Sequence, residues 1–386
     1  MASDRYAFKS AWKRHFASAV DFAGGVLFSA FKMLRTPESS PAPARKILLV
    51  RLDHIGDLIL TRPAVRLLRE HLPSVQIDWL IPAESRQLLS CDPFINNLIP
   101  FRYHWYRRGQ RTLETIREFF SLIKQFRSEK YDAAVDFRGD FRSILLIFLA
   151  GIKQRIGYGI TGGGFLLTEC LPRDSGLHQV MLNAAILRPL GVTGKPGYLP
   201  LHAQPELFSA LVPRRSPETK RVIVHAGAGY PSKVWPAKNF EKLLCSLSRL
   251  PGIELFIIGT ADEKRAAPMD DLFQNNEPSL KDLRGVLELH ELPALMLNAE
   301  LFIGGDSGPA HIAAAQGIMV LSLFSGANDE RLWRPWTPNL HLMTNPVSCS
   351  PCGLSVCPIP DHPCMSGIQP EEVIHAATRL LEGKPV

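Results

Sequence analysis

Residues 301–320, Leu-Phe-Ile-Gly-Gly-Asp-Ser-Gly-Pro-Ala-His-Ile-Ala-Ala-Ala-Gln-Gly-Ile-Met-Val, leave the chain few folds to choose from. Leu301 to Ile303 is an apolar run without alternation, as in a strand buried on both faces. A glycine turn follows, and a helix is expected from Pro309, since proline suits the first helical position. Asp306 and Ser307 stand where N-cap residues belong. Gly304, Gly305 and Gly308 are expected to take positive φ and let the backbone approach a ligand closely. A helix N-terminus collects unpaired N–H groups and a partial positive charge, so this corner is a natural pyrophosphate seat. His311, two residues into the helix, adds a donor. An ordinary strand–turn–helix corner shares the outline; Asp, Ser, Gly and His within six residues favour the anion seat.

The same alternation of apolar strand and helix occurs twice in the chain. The first series opens at Lys46-Ile-Leu-Leu-Val-Arg and runs into Leu52-Asp-His-Ile-Gly-Asp and a helix to about Glu70. Asp57 then falls at the carboxyl edge of the strand, where doubly wound sheets bind ligands. Strand-like runs recur at Val75 to Ile81 and Tyr131 to Asp136. The second series opens at Arg221-Val-Ile-Val-His, followed by Ala-Gly-Ala-Gly-Tyr-Pro-Ser-Lys and a helix from Ala237; its next strand is Leu255-Phe-Ile-Ile-Gly. A stretch rich in Pro, Arg and Ser at about 195–219 separates the two as a hinge. Two α/β domains facing a cleft are expected, at 45–200 and 219–370, with an arm and linker at 1–44 and a C-terminal helix at 371–386.

Charge is divided unevenly over this plan. Residues 1–200 carry 28 Lys and Arg against 17 Asp and Glu, a net of +11, whereas 201–386 carry 16 against 20, a net of −4. The first half is therefore suited to an anionic partner. Arg138 and Arg142, in Asp136-Phe-Arg-Gly-Asp-Phe-Arg, are candidates for contacts with acceptor carboxylates or phosphates; ion pairs with Asp136 or Asp140 are the alternative. The loop 102–111, Arg-Tyr-His-Trp-Tyr-Arg-Arg-Gly-Gln-Arg, is a second basic surface. In the arm, Lys9, Lys13, Arg14 and His15 lead into an apolar stretch broken by Asp21 and Lys32. It reads as neither a signal peptide nor a spanning helix, but as a basic amphipathic helix for a membrane surface or for docking on the domain.

Several function classes lose ground here. Gly157 to Gly164 is glycine-rich but lacks a Walker lysine, and Gly227 with Gly229 lacks the third glycine of a dinucleotide fingerprint. Lys233 lies in the loop after the second domain's first strand, within reach of an anionic ligand; Asp262 and Glu263 lie in the loop after the next strand, as ribose ligands or helix-cap residues. Four of the seven cysteines, Cys349, Cys352, Cys357 and Cys364, crowd into one Pro- and Gly-rich loop with spacing C-x₂-C-x₄-C-x₆-C. Four thiolates so placed suit a closed, structural Zn²⁺ or iron site, with His362 able to replace one; disulfides or free buried thiols are the alternatives.

Four islands resemble the family 9 glycosyltransferases, the ADP-heptose:lipopolysaccharide heptosyltransferases. They are Arg51-Leu-Asp-His-Ile-Gly-Asp-Leu-Ile-Leu-Thr-Arg-Pro-Ala, His225-Ala-Gly-Ala-Gly with Lys233-Val-Trp-Pro, Gly304-Gly-Asp-Ser-Gly-Pro-Ala-His, and the cysteine tail ending Cys364-Met365. The resemblance covers about residues 45–380 and leaves the arm unmatched. It implies a GT-B fold of two Rossmann-like domains, acceptor on the first and nucleotide sugar on the second, and inverting transfer that requires no catalytic metal. Asp57, in Gly-Asp-x-x-x-Thr, is then the general base, ranked above Asp53; Lys233, Gly227, Glu263, Asp306, Ser307, Gly308 and His311 hold the donor. The expected partners are a nucleotide-sugar donor and an anionic lipid-linked saccharide at the inner face of the cytoplasmic membrane, and no nucleic acid. Rival readings are a GT-B-shaped sugar-nucleotide epimerase and a non-catalytic lipid- or nucleic-acid-binding protein.

Overall fold

The computed structural model describes residues 11–33, 44–102, 112–202, 218–269, 272 and 279–385. The arm before residue 11, the linker 34–43, the basic loop at 103–111 and the hinge stretch at 203–217 lie outside the described residues. The chain forms two compact units, Met1–Gly197 and Tyr198–Val386.

The first unit is built on six parallel strands: β1 (Lys46–Val50), β2 (Gln76–Pro82), β3 (Asn97–Phe101), β4 (Ala133–Asp136), β5 (Gln154–Gly157) and β6 (Glu169–Cys170), in the order β3-β2-β1-β4-β5-β6. The second repeats the plan with β7 (Lys220–His225), β8 (Ile253–Ile258), β9 (Leu280–Asp282), β10 (Leu301–Gly305), β11 (Met319–Leu323) and β12 (Leu340–Met343), in the order β12-β11-β10-β7-β8-β9. Read from its own first strand, each sheet has the doubly wound order 3-2-1-4-5-6. The unbroken apolar runs follow from this, because central parallel strands are covered by helices on both faces. Leu48, Val50, Ala134 and Ile144 are buried in the first core; Val224, Ile257, Ile303 and Leu321 in the second.

In such a sheet the strand order reverses beside the first strand, and a crevice opens at the carboxyl ends there. That point lies between β1 and β4 in the first unit, and between β7 and β10 in the second. The helices Ile55–His71 and Gly308–Ala315 begin at these points.

The helix Ala11–Met33 docks on the first unit. Asp21, its only acidic residue, is buried and accepts a 2.6 Å bond from the Gly163 amide. Ala17 lies over Gly162, and Gly24 over the Phe165 ring. Gly159, Gly162 and Gly163 take positive φ in the loop that presents the Gly163 amide to the helix. Among the described residues no helix is long and apolar enough to cross a membrane.

Candidate active site

In the first unit a buried arginine, to which the sequence assigned no role, is the centre of the constellation. Arg51, just past β1, places Nε 2.8 Å from Asp53 and Nη2 2.6 Å from Asp57. Its Nη1 donates to the Phe137 carbonyl at 3.0 Å and the Asn183 side chain at 3.3 Å. Asn183 in turn donates to the Leu60 carbonyl and the Thr61 hydroxyl, and that hydroxyl donates to the Asp57 carbonyl at 2.7 Å. Asp57 sits in the first turn of its helix, where the macrodipole favours an anion. Two orienting systems, one on the carboxylate and one on the backbone, thus hold it at the sheet edge. Asp53 is shared by Arg51 and Arg138 and is more deeply enclosed than Asp57.

Arg138 and Arg142 have different settings. Arg138 pairs with Asp53, beside the constellation. Arg142 forms a two-pronged pair with Asp140, at 2.9 and 3.0 Å, and Asp140 is the N-cap of Arg142's own helix. Behind them Asp136 is fully buried, accepting from the Ser143 hydroxyl and the amides of Arg138 and Gly139. Burial and the neighbouring Asp140 charge push its carboxyl up to about 7, against the pull of Ser143, the Arg138 amide and Arg51. Arg173 also belongs to this region. Burial and the Arg51 charge hold its guanidinium below the usual range, while Tyr158 and Asp57 work the other way.

In the second unit, the corner after β10 departs from expectation in two ways. Gly304, Gly305 and Gly308 do not take positive φ. The first two are needed for room: a Cβ at Gly304 would stand 3.0 Å from the His225 carbonyl, and one at Gly305 3.0 Å from the Lys233 carbonyl. Ser307 is the N-cap of the helix Gly308–Ala315, yet its side chain does not cap it; the hydroxyl stands 3.1 Å from His225 Nδ1. Asp306 turns to Lys233 Nζ at 2.7 Å and accepts from Asn328 at 2.7 Å, and His311 Nε2 lies 4.0 Å from it. Lys233, Asp306, Ser307, Gly308 and His311 are thereby gathered at one helix N-terminus.

Glu263 joins this group through His225. One carboxylate oxygen lies 3.3 Å from His225 Nε2; the other accepts from the Thr260 amide at 2.7 Å in a capping box. Burial works to raise this carboxyl, but the bond and charge of His225 and the Thr260 contacts hold it below the usual range. Gly227 explains itself here: a Cβ on it would fall 1.8 Å from Glu263 Oε1. Asp262 instead points to Arg265 on the surface. The residues themselves offered Asp262 and Glu263 alike, and only the family resemblance singled out Glu263; His225 was visible only as the residue opening its motif.

Cys349, Cys352, Cys357, Cys364 and His362 line one small cavity of about 10 Å³, room for a single atom-sized guest. The expected tetrahedral arrangement is not formed: all four are free thiols, and among the described residues no group of three or more His, Cys, Asp or Glu is placed to hold a metal ion. The donor chemistry fits a soft ion; the side-chain geometry does not enclose one. The loop is strapped to the lysine loop, with the Ser355 carbonyl accepting from the Ser232 amide at 3.1 Å and the Leu354 carbonyl from its hydroxyl at 2.5 Å. A larger hollow of about 460 Å³ lies at the opposite, amino-terminal edge of the first sheet, lined by Asp78, Glu118, Glu129 and Tyr131, away from these residues.

Two doubly wound units of this strand order, each with charged groups at its own switch point, define a GT-B-type architecture. The Glycosyltransferase family 9 (heptosyltransferase) model matches residues 119–361, and the chain belongs to that family; it is a glycosyltransferase. It is 30% identical over 302 residues to lipopolysaccharide heptosyltransferase 3 of Escherichia coli, covering 74% of this chain and 84% of that one. Among solved structures it resembles a family 9 glycosyl transferase from Veillonella parvula, with TM-score 0.74 and 21% identity over 91% of this chain and 100% of the other. It also resembles the E. coli ADP-heptose lipopolysaccharide heptosyltransferase II, with TM-score 0.70 and 22% identity over 88% and 99%.

Proposed function

We propose that the chain transfers a sugar, heptose from ADP-heptose as first choice, onto an anionic lipid-linked saccharide of the lipopolysaccharide core, with inversion at the anomeric carbon. The observation that carries this is that each unit, taken by itself, equips its switch point differently: an oriented carboxylate, Asp57, in the first, and a lysine with a helix N-terminus in the second. Asp57 takes the proton from the acceptor hydroxyl as its oxygen bonds to the anomeric carbon. The bond from that carbon to the diphosphate breaks, and its electron pair leaves with the nucleotide. Lys233, the Ser307 hydroxyl, the first helical amides and His311 meet the added negative charge. Glu263 and Gly227 shape the ribose side. Arg138 and Arg142 steer acceptor carboxylates or phosphates, in line with the +11 balance of residues 1–200. No step uses a metal ion.

Incubation with ADP-heptose and, separately, with UDP-sugars tests the reading. Nucleoside diphosphate should appear only when a core saccharide is added. Turnover of the donor without acceptor would favour the epimerase; no turnover with any pair would favour a binding protein.

The helix Ala11–Met33 holds the enzyme at an anionic membrane face. Trp12, Phe22 and Val26 are exposed on it at helical spacing, and its one acid is turned inward. Removing residues 1–40 should leave an active chain with weaker binding to anionic vesicles at low salt; unchanged binding would end this role. Cys349, Cys352, Cys357 and Cys364 would hold a structural zinc or iron ion only by turning inward from the positions they take here. Elemental analysis without added metal decides this: fewer than about 0.2 ions per chain, with four freely titrating thiols after unfolding, leaves a metal-free loop.

A further inference from the structure

We infer that His225 is a positioning residue of the donor site, holding Glu263 and Ser307 in one line and setting the direction in which the Ser307 hydroxyl donates. The inference rests on the donor reading above. Three observations carry it, all on residues within one unit.

The first is the idle cap. An N-cap serine ordinarily bonds its own helix, yet Ser307 Oγ stands 3.1 Å from His225 Nδ1 instead. The first-turn amides are left for another acceptor. The second is the clearance at Gly227, since any side chain there would displace the Glu263 carboxylate from His225. The third is the double commitment of Glu263, with one oxygen on Thr260 and one toward His225 Nε2.

The hydrogen count then follows. A carboxylate only accepts, so Nε2 carries a hydrogen in both charge states of the ring. In neutral imidazole, Nδ1 accepts, and the Ser307 hydroxyl hydrogen points inward to it. In imidazolium, Nδ1–H donates to Ser307 Oγ, and the hydroxyl hydrogen is released toward the helix N-terminus and a diphosphate oxygen. Protonating His225 therefore turns Ser307 into an anion donor and adds a positive charge behind it. Ile258 and Gly304 flank the ring in the sheet and do not titrate; Glu263 faces it, and beyond Ser307 lie the Lys233–Asp306 pair and His311.

The test is calorimetric binding of ADP, or of UDP if ADP does not bind, to the whole chain between about pH 5.5 and 8.5, the range a histidine spans. His225→Gln, Ser307→Ala and Ser307→Thr are compared with wild type, each checked for a wild-type melting transition. The nucleotide's own ionisation is common to all and cancels in the affinity ratio. Wild type should gain affinity over His225→Gln as pH falls, reaching about tenfold at the acid end, the size of one charge-assisted hydrogen bond. Ser307→Ala should lose the same pH-dependent part, and Ser307→Thr should restore it. A ratio constant with pH for both His225→Gln and Ser307→Ala removes the inference and leaves the donor site standing. Failure of wild type to bind either nucleotide removes both. Should His225→Gln not fold, Ser307→Ala alone decides.

Discussion

The two units have the same strand order and opposite charge, and their switch points are equipped differently. In the first, a buried arginine joins two carboxylates that project from the start of a helix. In the second, the helix start is left uncapped by its own serine: Ser307 is diverted to His225, and Asp306 is bound to a lysine. One topology thus carries either carboxylates held by an arginine or a lysine–aspartate pair at a helix dipole's positive end, according to which side chains stand beside the first helical turn. Position comes from the sheet; sign comes from a handful of residues.

That contrast can be broken most sharply at Asp57. Replacing it with Ala should lower kcat by about 10² to 10⁴, with ADP affinity unchanged by calorimetry. Near-normal turnover in Asp57→Ala, with loss in Asp53→Ala, would move the base to Asp53. The converse substitution, Lys233→Ala, should raise the donor KM roughly 10- to 100-fold, as for one hydrogen bond to a charged group, and leave the acceptor KM alone. Unchanged donor kinetics would end the role of Lys233. A smaller effect is expected from reversing Arg138 and Arg142 to Glu together, which should raise the acceptor KM without altering ADP binding; equal losses in both would point to a folding defect through Asp53 and Asp140.

The smallest effect concerns stability. Asp136 is pushed up to about 7 in the folded chain, from an ordinary value of 3.8. The native state therefore binds more protons at this group than the unfolded chain does. Its contribution is complete below the ordinary value and is lost as pH rises toward the folded one. Wild type should lose more melting temperature than Asp136→Asn between about pH 4 and pH 7. Parallel melting curves across that window would show Asp136 ionised throughout.

The strands were legible because buried parallel strands are written as unbroken apolar runs, and Asp57, Lys233 and Ser307 because sheet edges follow from strand ends. The partners of these residues were not legible. Arg51 reaches Asn183 across 132 positions, and His225 meets Ser307 across 82, and no local pattern records such pairs. Gly304 and Gly305 misled for a related reason: they relieve crowding from neighbouring backbone, a demand set by tertiary packing, whereas positive φ is a local one. The cysteine spacing specified a shared cavity without specifying where the sulfur atoms would point.

Lys233 has a consequence for selectivity that concerns ordering and net charge. A lysine side chain fixed by a ligand gives up about 2 kcal/mol of rotamer freedom. Here Asp306 holds the ammonium at 2.7 Å, and the Ser355 and Leu354 carbonyls anchor the preceding residue, so much of that ordering precedes the ligand. The lysine is also neutralised in advance. A singly charged anion gains little by competing with Asp306 for it, whereas a diphosphate can bridge the ammonium and the helix amides together. On the proposed donor role, a corner ordered in this way would favour a diphosphate over chloride or acetate.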